Sequence, residues 1–291
     1  MKKILILAVI GMMTISFVGC SANSREGDST SNYESSSLSK ETTSTADSGD
    51  NEKMSGGADI NIKSNETIDE KIALDDVKNI NIKISAAKVS VKSYEGADIK
   101  ITGKLSEKSK GMNINKSDSK IEIVEKGYEF KGSLISGEDD TTKIDVLIPL
   151  KFTGDFIFKQ GVGTSDIEGL KVKNIDITGG AGNLKCNDIK FEKLNLNSGV
   201  GKVDLNLKEK CGDIEIDGNV GETNVKMAEV GGNLKYKGGV GSTNITIPKN
   251  SPIKFILGKG VGNCKVDAKT SGEETYIFDL KVGVGSINVS N

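Results

Sequence analysis

The chain has 291 residues, a formal net charge of −2, 35 glycines and only 3 prolines. This charge supplies no global field to attract nucleic acid, and glycine without proline is typical of tight turns rather than of collagen or disorder. The chain contains no His and no Trp, and its single Arg is Arg25. Any folded region after Arg25 therefore lacks the commonest general base, the best bidentate anion ligand and the best stacking surface.

Residues 1–19 have the pattern of a lipoprotein signal peptide. Lys2 and Lys3 form a positive n-region, and residues 4–18 form an apolar segment that is too short for a comfortable membrane span. The run Phe17-Val18-Gly19-Cys20 resembles a lipobox, which implies palmitate-type acylation at Cys20 and cleavage before it. We therefore predict a lipid-anchored, extracytoplasmic protein at the cell surface.

Residues 20–57 carry the lipidated Cys20 and then a segment rich in Ser and Thr with scattered charges. Such a composition offers too little apolar surface to offset the entropy cost of ordering the chain. We interpret this segment as a flexible, disordered tether between the membrane anchor and a folded domain at residues 58–291.

From residue 58 onward, apolar and polar residues alternate in short bursts, as in Ile80-Asn81-Ile82-Lys83-Ile84 and Ile144-Asp145-Val146. This period of two predicts half-buried strands, and no segment has a helical period of useful length. We interpret residues 58–150 as irregular opening rungs, with Pro149 ending their last strand because proline cannot donate to a sheet.

From residue 151 onward a Gly-Val-Gly-like triplet recurs, and the final glycines are 19, 19, 20, 20, 21 and 23 residues apart. A fixed period in this range is typical of a solenoid. Each period contains two short strands, which cannot bury their apolar faces unless the units stack. The final glycines, which we expect at the corners, are Gly163, Gly182, Gly201, Gly221, Gly241, Gly262 and Gly285.

The fold prediction is therefore all-β, a single β-solenoid of ~20-residue, two-strand rungs; a barrel or a sandwich is the alternative. The corner glycines should stack in sequence order, with Gly285 ending the column. The Val or Ala inside each triplet should turn inward and seal the corner. The last strand, at residues 287–289, should leave one sheet edge unpaired, where a partner could add a strand.

These features resemble the DUF4097 family of adhesin-like β-strand repeat proteins. The resemblance lies in the alternation of residues 80–91, the Ile144-Asp145-Val146-Leu147-Ile148-Pro149 segment and the Gly-x-Gly rungs, and it covers about residues 60–291. It implies a β-solenoid at the bacterial cell surface or in the envelope. It implies no catalytic residues.

Few side chains suggest chemistry. Asp139 and Asp140 form the densest acidic cluster, but their Ser, Gly and Thr neighbours favour a solvated turn over a glycosidase or metal site. Cys186 and Cys264 fall at inward strand positions, and Cys211 falls near a turn, so we expect three free thiols. We predict no catalytic, cofactor-binding or metal-binding residues.

The sequence favours a non-catalytic module for adhesion, scaffolding or envelope sensing, with an envelope protein or a glycan as partner and no nucleic acid. A membrane-stress sensor that acts through a partner protein belongs to the same class. The alternative is a β-helix carbohydrate-active enzyme of the envelope. Such enzymes usually rely on His, Arg or sugar-stacking aromatics, and aromatics make up only 4% of this chain.

Overall fold

The computed structural model describes residues 58–129, 141–218, 220–258 and 260–291, and all regular structure in these ranges is β-strand. The prediction of an all-β fold is therefore confirmed. No helix in the described ranges is long and apolar enough to cross a membrane. The predicted signal peptide, Cys20 and the predicted tether lie outside the described residues.

Seven strands form the N-terminal part. They are β1 (Asp59–Ile62), β2 (Thr67–Ala73), β3 (Asn79–Tyr94), β4 (Asp98–Lys104), β5 (Met112–Ser117), β6 (Lys120–Glu125) and β7 (Thr142–Pro149). The first half of β3 pairs in parallel with β6, and its second half pairs in parallel with β7. The remaining pairs, β1–β5, β5–β6, β2–β4 and β4–β7, are antiparallel.

Eleven more strands stack on β3. They are β8 (Asp155–Glu168), β9 (Asn174–Asn187), β10 (Lys193–Leu207), β11 (Asp213–Asp217), β12 (Val220–Met227), β13 (Leu234–Lys237), β14 (Val240–Thr246), β15 (Ile253–Gly258), β16 (Val261–Val266), β17 (Tyr276–Lys281) and β18 (Val284–Ser290). All their pairings with one another and with β3 are parallel.

The long strands β3, β8, β9 and β10 each contribute to two ladders, one on either side of a corner. The first ladder contains their first halves, followed by β11, β13, β17 and β15. The second ladder contains their second halves, followed by β12, β14, β18 and β16. Apolar side chains from both ladders meet in one core cluster.

The inward positions of the second ladder are those two and four residues after each corner glycine, as predicted. Val203 and Leu205 are buried, and so are Thr223 and Thr243 in the next rungs. A buried hydroxyl requires a hydrogen-bond partner. Thr243 Oγ1 donates to Tyr236 Oη over 2.6 Å, so this polar group in the core is satisfied.

The corner glycines lie in one column, but its order differs from the prediction. Pairing runs from Gly163 through Gly182, Gly201, Gly221 and Gly241 to Gly285, and Gly262 comes last. After β14 the chain passes to the end of the stack, forms β15 and β16, and returns to insert β17 and β18 as the penultimate rung. The expectation that Gly285 ends the column was therefore wrong.

The inserted rung also corrects the predicted free edge. Strand β18, which contains residues 287–289, has β14 on one side and β16 on the other. Among the described strands, the unpaired edges at this end belong to β15 and β16 instead. Within residues 58–150, β3 pairs in parallel with β6 and β7, and the pairs among the other strands are antiparallel.

The residue between the corner glycines faces outward, contrary to the prediction. Val200 is 56% exposed and Val261 is 77% exposed, and the equivalent valines at 162, 220, 240 and 284 are exposed too. The cause is the alternation of the strand. Residues two and four places after the glycine face the core, so the residue just before the glycine lies on the opposite side.

Candidate functional site

An open groove of about 720 Å³ lies over the outward side chains of the second ladder, where β7 and β3 meet the regular rungs. Most of its lining side chains alternate along the strands with buried residues, so they point away from the core. Five of them are lysines, namely Lys88, Lys92, Lys143, Lys185 and Lys202. Three are aspartates, namely Asp145, Asp166 and Asp204, so the lining carries a formal excess of positive charge.

The strand register explains how these lysines come together. One outward row, crossing strands β7, β3, β8, β9 and β10, reads Lys143, Lys88, Thr164, Asn183, Lys202. Long lysines therefore stand at both ends of the row, and short polar side chains form the floor between them. We refer to this arrangement as the lysine groove.

Lys88 and Lys143 occupy directly opposite positions in the β3–β7 pair. Like charges placed opposite each other on a sheet repel and destabilise the pair. At the other end, Lys202 lies 3.5 Å from Asp204 and 3.7 Å from Glu222, both at the surface. An anion seated beside Lys88 and Lys143 would relieve their repulsion.

The second outward row places Asp166 beside the floor of the groove, between Ser90 and Lys185. Its Oδ1 atom is buried and has no hydrogen-bond partner within the described residues. A buried acceptor without a donor is costly, and a ligand hydroxyl satisfies it once the carboxylate rotates towards the groove. The groove therefore combines cationic ends with an acceptor in its floor.

One exposed ion pair borders the groove. Lys92 Nζ lies 3.1 Å from a carboxylate oxygen of Glu168. The hydrogen bond from Lys92 to Glu168, followed by the attraction between their charges, raises the pKa of Lys92. This pair engages Lys92, whereas Lys88, Lys143 and Lys185 form no ion pair within the described residues.

Comparison with known proteins assigns the chain to a family. The profile of the Toastrack DUF4097 family matches residues 77–277. The chain belongs to the Toastrack DUF4097 family. The family resemblance predicted from the sequence is therefore confirmed. No curated protein matches this Toastrack chain.

Several solved structures are similar to the Toastrack chain. A candidate cell adhesion protein from Clostridium sporogenes is 16% identical, with 77% of this chain and 99% of that chain covered and a TM-score of 0.40. A candidate adhesin from Bacteroides fragilis is 16% identical, with coverages of 78% and 98% and a TM-score of 0.41. Another from Parabacteroides merdae is 19% identical, with coverages of 78% and 98% and a TM-score of 0.38.

The three cysteines of the Toastrack domain are free. Cys186 pairs in register with Leu205 of the next rung, inside the core, and burial raises its pKa to about 12. Burial also raises the pKa of Cys211 to about 11 and that of Cys264 above its ordinary value. Thiols with raised pKa values remain protonated at neutral pH, so none of the three is an activated nucleophile.

Of the site residues predicted from the sequence, none within the described ranges lines the lysine groove. Asp139 and Asp140 lie outside the described residues. Within the described ranges, no group of three His, Cys, Asp or Glu side chains could hold a metal ion. The corner glycines position the strands, and Gly163 lies beside Ala87 at the margin of the groove.

Sequence reasoning missed the lysine groove. The alternation of β3 and β9 would have placed Lys88 and Lys185 on the outer face. The alternation within each strand could not show that β7 lies beside β3, because Lys88 and Lys143 are 55 residues apart in the sequence. The sequence therefore indicated which way each lysine faces, but it did not indicate which strands lie next to each other.

Proposed function

We propose that this Toastrack protein is a lipid-anchored protein of the bacterial cell surface. In this proposal it acts by binding, in adhesion, scaffolding or envelope sensing, rather than by catalysis. Its rungs are those of a single β-solenoid, a proposal supported by the parallel, in-register pairing from β3 to β18. The lysine groove is its ligand site, and its ligand is an acidic, hydroxyl-bearing polymer of the envelope, such as an acidic glycan.

The observation that carries this proposal is the lysine groove itself. Its ends attract anions, and its floor offers the short polar side chains of Ser90, Thr164 and Asn183 together with the unpartnered Asp166 oxygen. A ligand that carries both negative charges and hydroxyl groups fits both features. Polyuronates and polyol phosphates share this chemistry.

The spacing of the lysines favours a polymer over a small anion. Three strand spacings separate Lys88 from Lys202, which corresponds to about 14 Å at the usual inter-strand distance. One small anion cannot contact both ends of such a row. A chain of acidic sugars or polyol phosphates that crosses the strands can contact both ends and the floor between them.

The anchor rests on the sequence alone. The positive n-region, the apolar segment and the run ending at Cys20 occur in the order that lipoprotein signals require. Two or three acyl chains hold a protein stably at a membrane. A surface-anchored module with a groove for acidic polymers would then bind its ligand close to the envelope.

The groove is tested by the binding of the full chain in neutral detergent to polygalacturonate, poly(glycerol phosphate) and neutral dextran. We expect both anionic polymers to bind and dextran to bind weakly. The double variant Lys88→Gln/Lys143→Gln should lose at least about tenfold in affinity, since each lost charged contact contributes on the order of 1 kcal/mol. Binding should also weaken as salt is added.

A matched control separates the groove from general surface charge. Lys83 and Lys159 are also exposed and directly opposite each other, but they belong to the first ladder, across the corner from the groove. Lys83→Gln/Lys159→Gln should change affinity less than about twofold. An equal loss in the two double variants would show nonspecific attraction and contradict the assignment of the groove.

The anchor is tested by Cys20→Ser followed by cell fractionation. Without the thiol no lipid can be attached, so we expect the protein to leave the membrane fraction. The groove variants should remain in that fraction, because they change only the domain. Membrane association that is unchanged in Cys20→Ser would contradict the lipid anchor.

A further inference from the structure

The C-terminal end of the stack has two free strand edges. Within the described residues, β15 pairs only with β17, and β16 pairs only with β18. Ile256 is 45% exposed and Leu257 is 46% exposed on this rung. Free edges and exposed apolar side chains together mark a place where another β-strand can add.

The inward side chains of this rung are also incompletely covered. Phe255, Cys264 and Val266 are only partly buried. Their neighbours one rung inward, Phe278, Ile287 and Val289, are fully enclosed. The core therefore continues to the end of the stack with nothing in the described chain beyond it.

We propose that a second copy of this chain covers this end, as a head-to-head dimer with two-fold symmetry. Strands β15 and β16 have six residues each and flank the same corner. A two-fold axis through that corner lays β15 of each copy antiparallel on β16 of the other. Both free edges of both copies are then paired, because a two-fold interface uses the same surface twice.

The register of this pairing matches inward side chains with inward side chains. Placing Gly258 opposite Val261 of the second copy sets Phe255 opposite Cys264 and Ile253 opposite Val266. These four apolar side chains all point to the core side of their strands. The two cores become continuous across the interface, as they are between rungs of one chain.

The charges of the end rung are compatible with this pairing. Lys254 is placed opposite Lys265 of the second copy, but each lysine already has a carboxylate nearby. Lys254 Nζ lies 2.7 Å from Glu274, and Lys265 Nζ lies 2.6 Å from Asp267. Asp267 comes two residues after Lys265, so it also lies diagonally across from Lys254 of the other copy.

A head-to-tail arrangement does not offer the same match. The opposite end of the stack is formed by β1 and β2, which have four and seven residues and are antiparallel to their neighbours. A parallel rung added there would lack a corner in register with β15 and β16. The closed two-fold dimer therefore fits the two ends of this molecule better than an open fibre does.

Disulfide cross-linking in intact cells tests the dimer with the full chain. Ile256 and Asn263 face outward and are directly opposite in the proposed register, where Cα atoms are ~5 Å apart and within disulfide reach. We expect the double variant Ile256→Cys/Asn263→Cys to give a band of twice the chain mass after mild oxidation. Adding Leu257→Lys, which places a charge in the interface, should reduce that band at least tenfold.

Two controls define the outcome. Ser242 lies in the same outward column as Asn263 but two strands inward, about 10 Å farther away, so Ile256→Cys/Ser242→Cys should give no dimer band. Val240→Lys, which changes a similarly exposed side chain away from the end rung, should leave the band of the first variant unchanged.

Three results would overturn the proposal: no dimer band, equal bands in the test and control variants, or a band of another mass, which would indicate a different partner strand. If the cysteine variants fail to accumulate, the unmodified chain is treated with a short amine cross-linker instead. Its dimer band must contain an intermolecular link between Lys254 and Lys265.

Discussion

The two ends of the stack solve the same physical problem in different ways. At the N-terminal end, antiparallel strands cover the first parallel rung, and side chains such as Ile101, Met112 and Ile114 are fully buried. At the C-terminal end, the last parallel rung has no cover in the described residues, and Leu257 and Val261 are largely exposed. In the described residues β1 and β2 also pair on one side only, so the two ends differ in how completely they bury their apolar side chains, and in that sense we call the first end closed and the second open.

This difference shows what a parallel stack cannot do alone. Each rung forms backbone hydrogen bonds with the rungs on either side of it, so the first and last rungs of a repeat always keep unpaired backbone groups. Antiparallel hairpins end the repetition because the chain can turn back beside its own strand. The inserted rung β17–β18 does not close the C-terminal end, since the free edges in the described residues then belong to β15 and β16.

The largest effect is expected from a side chain added at an interior corner. Gly201 has φ of 135°, and a Cβ there would lie 1.8 Å from the carbonyl oxygen of Gly182. Because a neighbouring rung packs against Gly201 on each side, the added methyl group cannot be accommodated by a small shift. Gly201→Ala should therefore lower the free energy of unfolding by at least about 4 kcal/mol. Gly262→Ala, on the open rung, should cost clearly less, since Gly262 does not have the positive φ of Gly201 and its rung can move outward.

Urea unfolding of the three proteins measures this contrast, and Gly272→Ala supplies the control. Gly272 has φ of 88°, but a Cβ there would meet nothing within 4 Å. Its substitution should show the backbone strain alone, about 1 kcal/mol. Equal losses at Gly201 and Gly262 would mean that the last rung is held as firmly as an interior one.

A smaller effect is expected from truncating side chains at the two ends. Ile114→Ala at the closed end should lower the free energy of unfolding by about 2–5 kcal/mol, because it leaves a cavity in a packed core. Leu257→Ala at the open end should cost less than about 1 kcal/mol in dilute protein, since Leu257 is already 46% exposed. Urea unfolding of both variants measures the two losses of stability. Losses of similar size would show that the open end is covered.

Much of the fold could be predicted because the repeat makes local pattern and global pairing coincide. The positions two and four residues after each corner glycine face the core and are buried in every rung but the last, since each rung repeats its neighbour in register. The outward direction of Val200 follows from the same alternation, extended backward through the corner. The sequence prediction treated the corner separately and therefore placed this residue on the wrong side. Pro149 ends β7 as expected.

The order of the last rungs could not be predicted. Gly262 and Gly285 have the same local pattern, and nothing in either segment indicates which lies nearer to Gly241. Non-local pairing decides, as it does for the assembly of the lysine groove from Lys88 and Lys143. Charges in a groove formed by distant strands are visible only once those strands are placed together.

The smallest expected effect is a difference in thiol labelling. In the native protein at neutral pH, Cys264 should react first, because it lies on the open rung and is only partly buried. Cys186 should react last, because burial raises its pKa to about 12 and leaves almost no thiolate. After denaturation, Cys186, Cys211 and Cys264 should all react.

The same labelling distinguishes a covered from an uncovered end. In a dimer, Cys264 faces Phe255 of the second copy, so dilution or Leu257→Lys should speed its labelling while the rate at Cys186 stays constant. Because folding raises the pKa of Cys186, the stabilisation by its neutral thiol is complete below about pH 9 and is lost as the pH rises towards 12. Labelling below pH 9 therefore probes the protein before this loss of stability begins. If neither dilution nor Leu257→Lys changes the labelling rate of Cys264, no second copy covers the open end, and the dimer is contradicted.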